Sequence, residues 1–269
     1  MANSDSLSAE SSANPTYSLD NAAKEASSRF DALAAMYDPV TIRHLKNRGV
    51  SPGWHCLEIG GGGGSIAAWL AARVGPAGCV LVTDIDPRFL DSLQVPNLEV
   101  RRHDIVNDPL PEAAFDLVHS RLVLLHLPER EKALARMVAA LKPGGWLVDE
   151  EFDASSMPPN PVVNPGEVLL KTLIATRRVM QDRGADDSGF ARRLFSRLRA
   201  HGLVDVEAEA CLFMWHSGSP GASLLRANFE QLHSNMIDAG YITEQEFKED
   251  LARLDDPNFM MPSPIMWTA

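Results

Sequence analysis

Between Ala22 and Lys46 the apolar residues Phe30, Leu33, Met36 and Tyr37 recur at i, i+3, i+6 and i+7. That is the stripe of a one-sided helix, predicted to break at Asp38-Pro39. From Trp54 onward the pattern changes to short apolar runs. Trp54–Ile59, Cys79–Thr83, Leu98–Arg102, Phe115–His119 and Trp146–Val148 read as five strands. Ser65–Val74 and Glu129–Leu141 read as helices, the first ended by Gly75-Pro76 and the second by Pro143-Gly144-Gly145, and a short helix is expected after Pro87. Strands alternating with helices imply a parallel sheet covered on both faces, with right-handed crossovers. Further on, Phe152–Gly166 reads as a proline-rich loop containing Pro158-Pro159. Glu167–Arg183, Phe190–His201, Pro220–Ala239 and Thr243–Leu254 read as helices, and Val204–Trp215 as a strand with its carboxyl end toward a ligand. Asn258–Thr268 reads as a final edge strand, despite two prolines.

In such a sheet ligands sit beyond the carboxyl ends of the strands. Strand one ends in Glu58-Ile59 and runs through Gly60, Gly61, Gly62, Gly63 and Gly64 into Ser65, which opens a helix. A main chain without Cβ atoms turns sharply and lets a ligand approach, and the helix start offers free N–H groups to an anion. A dinucleotide fingerprint needs Gly or Ala where Ser65 or Ile66 stands, and a phosphate loop needs a Lys that is missing. Strand two ends in Thr83-Asp84-Ile85-Asp86, where a carboxylate can accept ribose hydroxyls, with Asp84 preferred and Asp86 supporting or capping. Strand three ends in Asp104-Ile105, and strand four in His119-Ser120-Arg121-Leu122, followed by His126.

The spacing of Glu58, Gly60, Gly62 and Gly64 resembles motif I of class I S-adenosylmethionine-dependent methyltransferases. Asp84, Asp104-Ile105, the Phe115–His126 stretch and Leu141-Lys142-Pro143-Gly144-Gly145 are similar to the family's later motifs, so the resemblance covers about Trp54 to Glu151. It implies a Rossmann-like, doubly wound α/β sheet of seven strands, mostly parallel with an antiparallel edge strand, under a helical cap. It divides the chain into a disordered tail (1–20), an N-terminal helical cap (21–50), a cofactor-binding core (51–217), a helical insertion over the site (218–257) and a final edge strand (258–269). The cofactor implied is S-adenosylmethionine, held by Glu58, Gly60, Gly62, Gly64, Asp84, Ile85, Asp104, Ile105, Ser120 and Arg121. Asp84 would take the ribose, Asp104 the adenine amino group, and Ile105 the ring face. The function implied is O-, N- or C-methylation of a small molecule in secondary or quinone-type metabolism. The family's nucleic-acid amino-methylases carry Asn/Asp-Pro-Pro-aromatic where Ser120-Arg121-Leu122 stands, and its cytosine methylases need a Pro-Cys that this chain lacks.

A formal net charge of −11 disfavours nucleic acid as a partner. The run Arg192, Arg193, Arg197 and Arg199 reads as a solvated helix face rather than a basic patch. The three cysteines, Cys56, Cys79 and Cys211, have neither zinc-like nor paired spacing. Cys56 and Cys79 are expected in the core, and the chain in the reducing cytoplasm. No apolar run is long enough to span a membrane, no metal is expected, and a homodimer is left open. Methyl transfer to a phenol or enol gains from a general base. His126 and His119 are the candidate catalytic residues, with His216 and His233 as weaker ones. The acidic group Asp149, Glu150, Glu151 and Asp153 reads as a solvated loop at the substrate rim. Met157, Met180, Met214 and Met236 suggest adaptable walls for a hydrophobic or aromatic acceptor. A cofactor-using enzyme that transfers no methyl group, a protein methyltransferase and a nicotinamide oxidoreductase are the competing readings.

Overall fold

In the computed structural model the described residues are 19–153, 170–184 and 189–269. Most of the expected tail, the Pro158-Pro159 loop with Met157, and the helix start expected at Glu167 lie outside them.

The first helix, α1, runs unbroken from Ala26 to Asn47 with Pro39 inside it. The expected break at Asp38-Pro39 is absent. Proline costs the helix one hydrogen bond. Here both flanks are anchored: Tyr37 and Thr41 are buried, and Asp38 is ion-paired with Arg121 at 2.9 Å. The strands β1 (His55–Ile59), β2 (Cys79–Asp84), β3 (Leu98–Arg102) and β4 (Phe115–Arg121) follow the expected runs, with α2 (Ser65–Val74) after the glycine turn and α3 (Arg130–Ala140) before β5. Residues 88–92 form a turn rather than the expected short helix.

The larger departure is β5, which runs from Leu141 to Asp153. Asp149, Glu150, Glu151 and Asp153 are therefore not a solvated rim; all four are buried in the sheet interior. After α4 (Lys171–Asp182) and α5 (Leu194–Ala200) come β6 (Glu209–Cys211), β7 (Met214–His216), α6 (Pro220–Asp238), α7 (Glu244–Leu254), β8 (Met260–Pro262) and β9 (Ile265–Thr268). The run expected as one strand over Val204–Trp215 is two short ones in different sheets. Val204 and Leu212 face solvent, so no continuous buried face holds the run together. Pro262-Ser263-Pro264 likewise divides the last stretch into β8 and β9.

The main sheet has the order β3-β2-β1-β4-β5-β9-β6, and β7 pairs with β8 in a second sheet. Pairings from β3 through β5 are parallel, and β9 enters antiparallel between β5 and β6. Alternate residues feed two cores. Cys56, Val80, Leu117 and Val148 pack under α1 and α2, while Leu57, Leu81, Val118 and Leu147 pack on the other face with α3 and α5. Leu57, Leu70 and Leu117 are fully buried. Each contributes roughly 1.5–3 kcal/mol by leaving water. A third core, around Leu225, Phe229, Leu232 and Met236, joins α6 to α1, α4 and α7 as a cap. Cys56 is buried as expected, but Cys79 opens β2 and is exposed. Arg192 pairs with Asp153, and Arg197 pairs with Glu131. No described helix is long and apolar enough to cross a membrane.

Candidate functional site

Strand register explains the polar interior. Glu58 on β1 lies directly beside His119 on β4, so both project to the α1/α2 face. His119 Nδ1 meets Glu58 Oε2 at 2.6 Å, and its Nε2 meets Glu150 Oε2 at 3.4 Å. Glu150 also accepts from Thr268 Oγ1 at 3.0 Å and from Thr41 Oγ1 of α1. Arg121 donates to Thr41 at 3.0 Å and to Asp38 at 2.9 Å. Burial alone would push the His119 ring down, but the two carboxylates outweigh it and raise its pKa to about 9. Burial would raise Glu150, but its bond with His119 reverses that and holds it below the usual range. The result is a carboxylate–imidazolium–carboxylate row that ties β1, β4 and β5 to α1.

On the opposite face Ser120 donates to Asp149, its neighbour across β4 and β5. Burial raises Asp149 to about 7 against the pull of Ser120 and His119. Glu151 accepts the main-chain N–H groups of Val123, Leu124 and Leu125 at 3.0, 2.7 and 3.1 Å. It thereby shapes the loop that carries His126. Leu122, at the start of that loop, holds φ +58°, a strained conformation for a branched side chain. Its N–H is fixed by the Glu150 carbonyl at 2.8 Å.

Beyond the strand ends lies a cavity of about 280 Å³. One end is walled by Gly60, Gly62, Asp84, Ile85, Asp104 and Ile105. The other is walled by cap residues, among them Leu33, Leu173, Met180, Leu225 and Phe229. Gly60 has φ +67°, and a Cβ there would sit 2.3 Å from a Val123 methyl. Gly62 has φ +50°, and its Cβ would meet the Phe30 ring at 2.8 Å. Bare main chain is thus required at both positions. Asp84 accepts the Gly62 N–H at 2.9 Å and the Asp86 N–H at 2.9 Å, so it braces the glycine turn while facing the cavity. Burial raises its pKa against those two amide bonds. Asp104 closes a turn by accepting from the Val106 N–H at 2.8 Å and the Asn107 side chain at 2.7 Å.

The residues expected to act together separate into three groups. Gly60, Gly62, Asp84, Ile85, Asp104, Ile105, Arg121 and His126 line the cavity. Glu58 lines an adjoining recess over Gly61, Gly63 and Ser65, but its carboxylate is engaged by His119. Gly64, Ser120, His119 and Asp86 lie off the cavity wall. Gly64, at φ +82°, starts α2 against Leu93. Asp86 pairs with Arg88 at 2.8 Å. Burial, helped by the charges of Arg29 and Arg130, lowers the His126 ring to about 3, so it is neutral at physiological pH.

Sequence reasoning missed Arg29, Phe30, His103, Trp215 and Asn228, all on the cavity wall. Asn21, beside them, ties its side-chain N–H to the Asp86 carbonyl at 3.1 Å. The one available signal was the helical stripe through Phe30, which marks a buried face without saying what it covers.

The turn with its Cβ-free positions, the carboxylate beside it and the apolar walls of Ile85 and Ile105 fit the aminoacyl, ribose and purine parts of S-adenosylmethionine. Residues 57–149 match the methyltransferase domain family. The chain is 30% identical over 192 residues to a ubiquinone/menaquinone biosynthesis C-methyltransferase of Hahella chejuensis, covering 64% of this chain and 75% of that protein. It is 33% identical to the enzyme of the same name from Ectopseudomonas mendocina, over 50% of this chain and 59% of the relative. The chain spans about half the length of the curated relatives it matches, from 35% to 75%. In structure it resembles phosphoethanolamine N-methyltransferase 2 of Haemonchus contortus, solved with S-adenosyl-L-methionine. The TM-score is 0.53 at 16% identity, covering 86% of this chain and 51% of that one, a likeness of fold.

Proposed function

We propose, for a chain that belongs to the S-adenosylmethionine-dependent methyltransferase family, that it methylates a small hydrophobic or aromatic molecule bound beneath the cap. One observation carries this reading: the glycine turn and Asp84 open into the same cavity as Leu173, Met180, Leu225 and Phe229. A cofactor cradle that opened to solvent would suit a macromolecule. One that opens into apolar walls suits a compact, greasy acceptor.

The cofactor, when bound, supplies an electrophilic methyl group on sulfur. The chain's own part is alignment and exclusion of water. Gly60 and Gly62 offer main chain, and Asp84 keeps lone pairs for the ribose hydroxyls beyond the two amides it already accepts. Ile85 and Ile105 flank the purine, and Asp104 reaches its amino group. Arg121 lines the cavity beside Gly60, where a carboxylate would sit, and its bond to Asp38 fixes its position. His126 is the candidate proton acceptor by its place on the cavity wall, and burial with the charges of Arg29 and Arg130, which disfavour its charged form, would have to be offset by an anionic acceptor. His119 is remote from the acceptor, with both ring nitrogens on carboxylates, and serves as a strut.

Incubation with methyl-labelled S-adenosylmethionine and a panel of phenols, hydroquinones and aryl acids tests the reading. Labelled product with released S-adenosylhomocysteine is expected. Cofactor binding without label transfer to any of them contradicts it. On a phenolic acceptor, His126→Gln should lower kcat by roughly 10²–10⁴-fold, the usual range for a lost general base, with S-adenosylhomocysteine affinity retained.

A further inference from the structure

Arg29, a cation on the cavity wall, has no anion beside it among the described residues. Arg29, on the first turn of α1, is 2% exposed. Its Nη1 donates to Gln231 Oε1 at 2.6 Å, and its Nη2 donates to Asn21 Oδ1 at 2.9 Å. Its carbon Cζ lies 4.8 Å over the Phe30 ring. All three partners are neutral. Among the described residues no carboxylate reaches ion-pair distance of Arg29, whereas Arg121, on the same wall, has Asp38 at 2.9 Å. Asp84 feels Arg29 only at longer range, and its oxygens are engaged by the Gly62 and Asp86 amides.

A buried guanidinium is costly unless an opposite charge completes it. The two amides use two of its five donors, which leaves a planar set of N–H groups free for a ligand. They also hold it rigidly, because Asn21 is itself tied to the Asp86 carbonyl at 3.1 Å and Gln231 belongs to α6. One helical turn before Gln231, the Asn228 side-chain oxygen is buried on the same wall without a hydrogen-bond partner. Trp215, 2% exposed, also lines the cavity, and its indole N–H is unpartnered. Much of the remaining cavity wall is apolar, Leu33, Leu225 and Phe229 of the cap among it. An oily chamber with one fixed cationic fork matches an amphipathic acid. The flat fork selects a carboxylate, which it can hold through two parallel bonds.

We propose that Arg29 is the anion anchor of the acceptor chamber, and that the acceptor is an apolar or aromatic acid whose carboxylate Arg29 holds. The proposal rests on the transferase reading above and narrows its acceptor to a class. It also gives α1 a second task beside covering the glycine turn: the helix carries the specificity group next to the Phe30 ring that packs on that turn.

The test is calorimetric titration of the S-adenosylhomocysteine-saturated protein with 1-naphthoate and with its neutral analogue 1-naphthamide. We expect the acid to bind at least about tenfold more tightly than the amide, the scale of one charge-assisted pair. Arg29→Gln should erase that ratio, and Arg29→Lys should restore part of it. S-adenosylhomocysteine affinity should move by less than about threefold in both, a shift under 1 kcal/mol. Equal affinity for acid and amide, binding of neither, or a parallel loss of S-adenosylhomocysteine in Arg29→Gln overturns the proposal. If Arg29→Gln does not fold, the acid-to-amide ratio of the wild-type protein decides alone. Failure of S-adenosylhomocysteine to bind the wild type strikes the transferase reading instead, and the acid-to-amide ratio is then measured without it.

Discussion

The two ends of the cavity are built differently. At the sheet end, short segments at strand ends make the wall: Gly60 and Gly62 after β1, Asp84-Ile85 after β2 and Asp104-Ile105 after β3. Each is placed by its strand, so a parallel sheet delivers them to one edge without help from distant chain. At the cap end, the wall comes from α1, α4, α6 and the residues around β7. Apart from β7 and α6, which follow one another, these are far apart in sequence, and their positions depend on side-chain packing around Phe229 and Met236. The sheet end is thus specified by local backbone chemistry. The cap end can change its lining without disturbing the fold, as expected where one cofactor serves many acceptors.

That contrast orders the expected effects. The largest belongs to the strut under the sheet end. His119→Ala leaves Glu58 and Glu150 buried without their cation and should destabilise the protein by roughly 3–5 kcal/mol, read by denaturant unfolding. The same group sets a pH slope. The folded His119 titrates at about 9 against about 6.5 unfolded, so its contribution is complete below pH 6.5 and is lost as pH rises through 9. Stability should fall over that window by on the order of 3 kcal/mol, and His119→Gln should flatten the fall. A wild type equally stable at pH 6.5 and 9 would show that the ring is not charged in the fold.

Next is Asp84→Ala. Loss of the brace on Gly62 and of the ribose acceptor should weaken S-adenosylhomocysteine by about 1–3 kcal/mol in calorimetry, with the melting temperature little changed. The smallest effect is at the far side of the cap. Thr243 and Glu246 form a capping box at the start of α7. Thr243→Ala should cost about 1 kcal/mol of stability and leave cofactor affinity unchanged. If it also weakened the cofactor, the independence of the two ends would be refuted.

The same division explains what could be read from the chain alone. The glycine turn, β1 to β4 and the acids at their ends were legible because each is a local signal, a run, a stop and a residue beside the stop. The interior acids were not. Asp149, Glu150 and Glu151 look like a solvated loop until β4, β9 and α1 close around them, and each is satisfied by a remote group: Ser120, His119 with Thr41 and Thr268, and the Val123–Leu125 amides. Likewise the pairing of Glu58 with His119 follows from register across β1 and β4, which periodicity does not encode. Pro39 inside α1 shows the converse: a local stop signal overridden by tertiary anchors on both sides.

The central claim is that the Cβ-free turn and Asp84 form a nucleoside-and-aminoacyl cradle, and titration with S-adenosylhomocysteine beside NAD tests it most directly. Saturable binding of one S-adenosylhomocysteine per chain and no heat from NAD are expected. NAD binding, or a flat S-adenosylhomocysteine titration on folded protein, would contradict it.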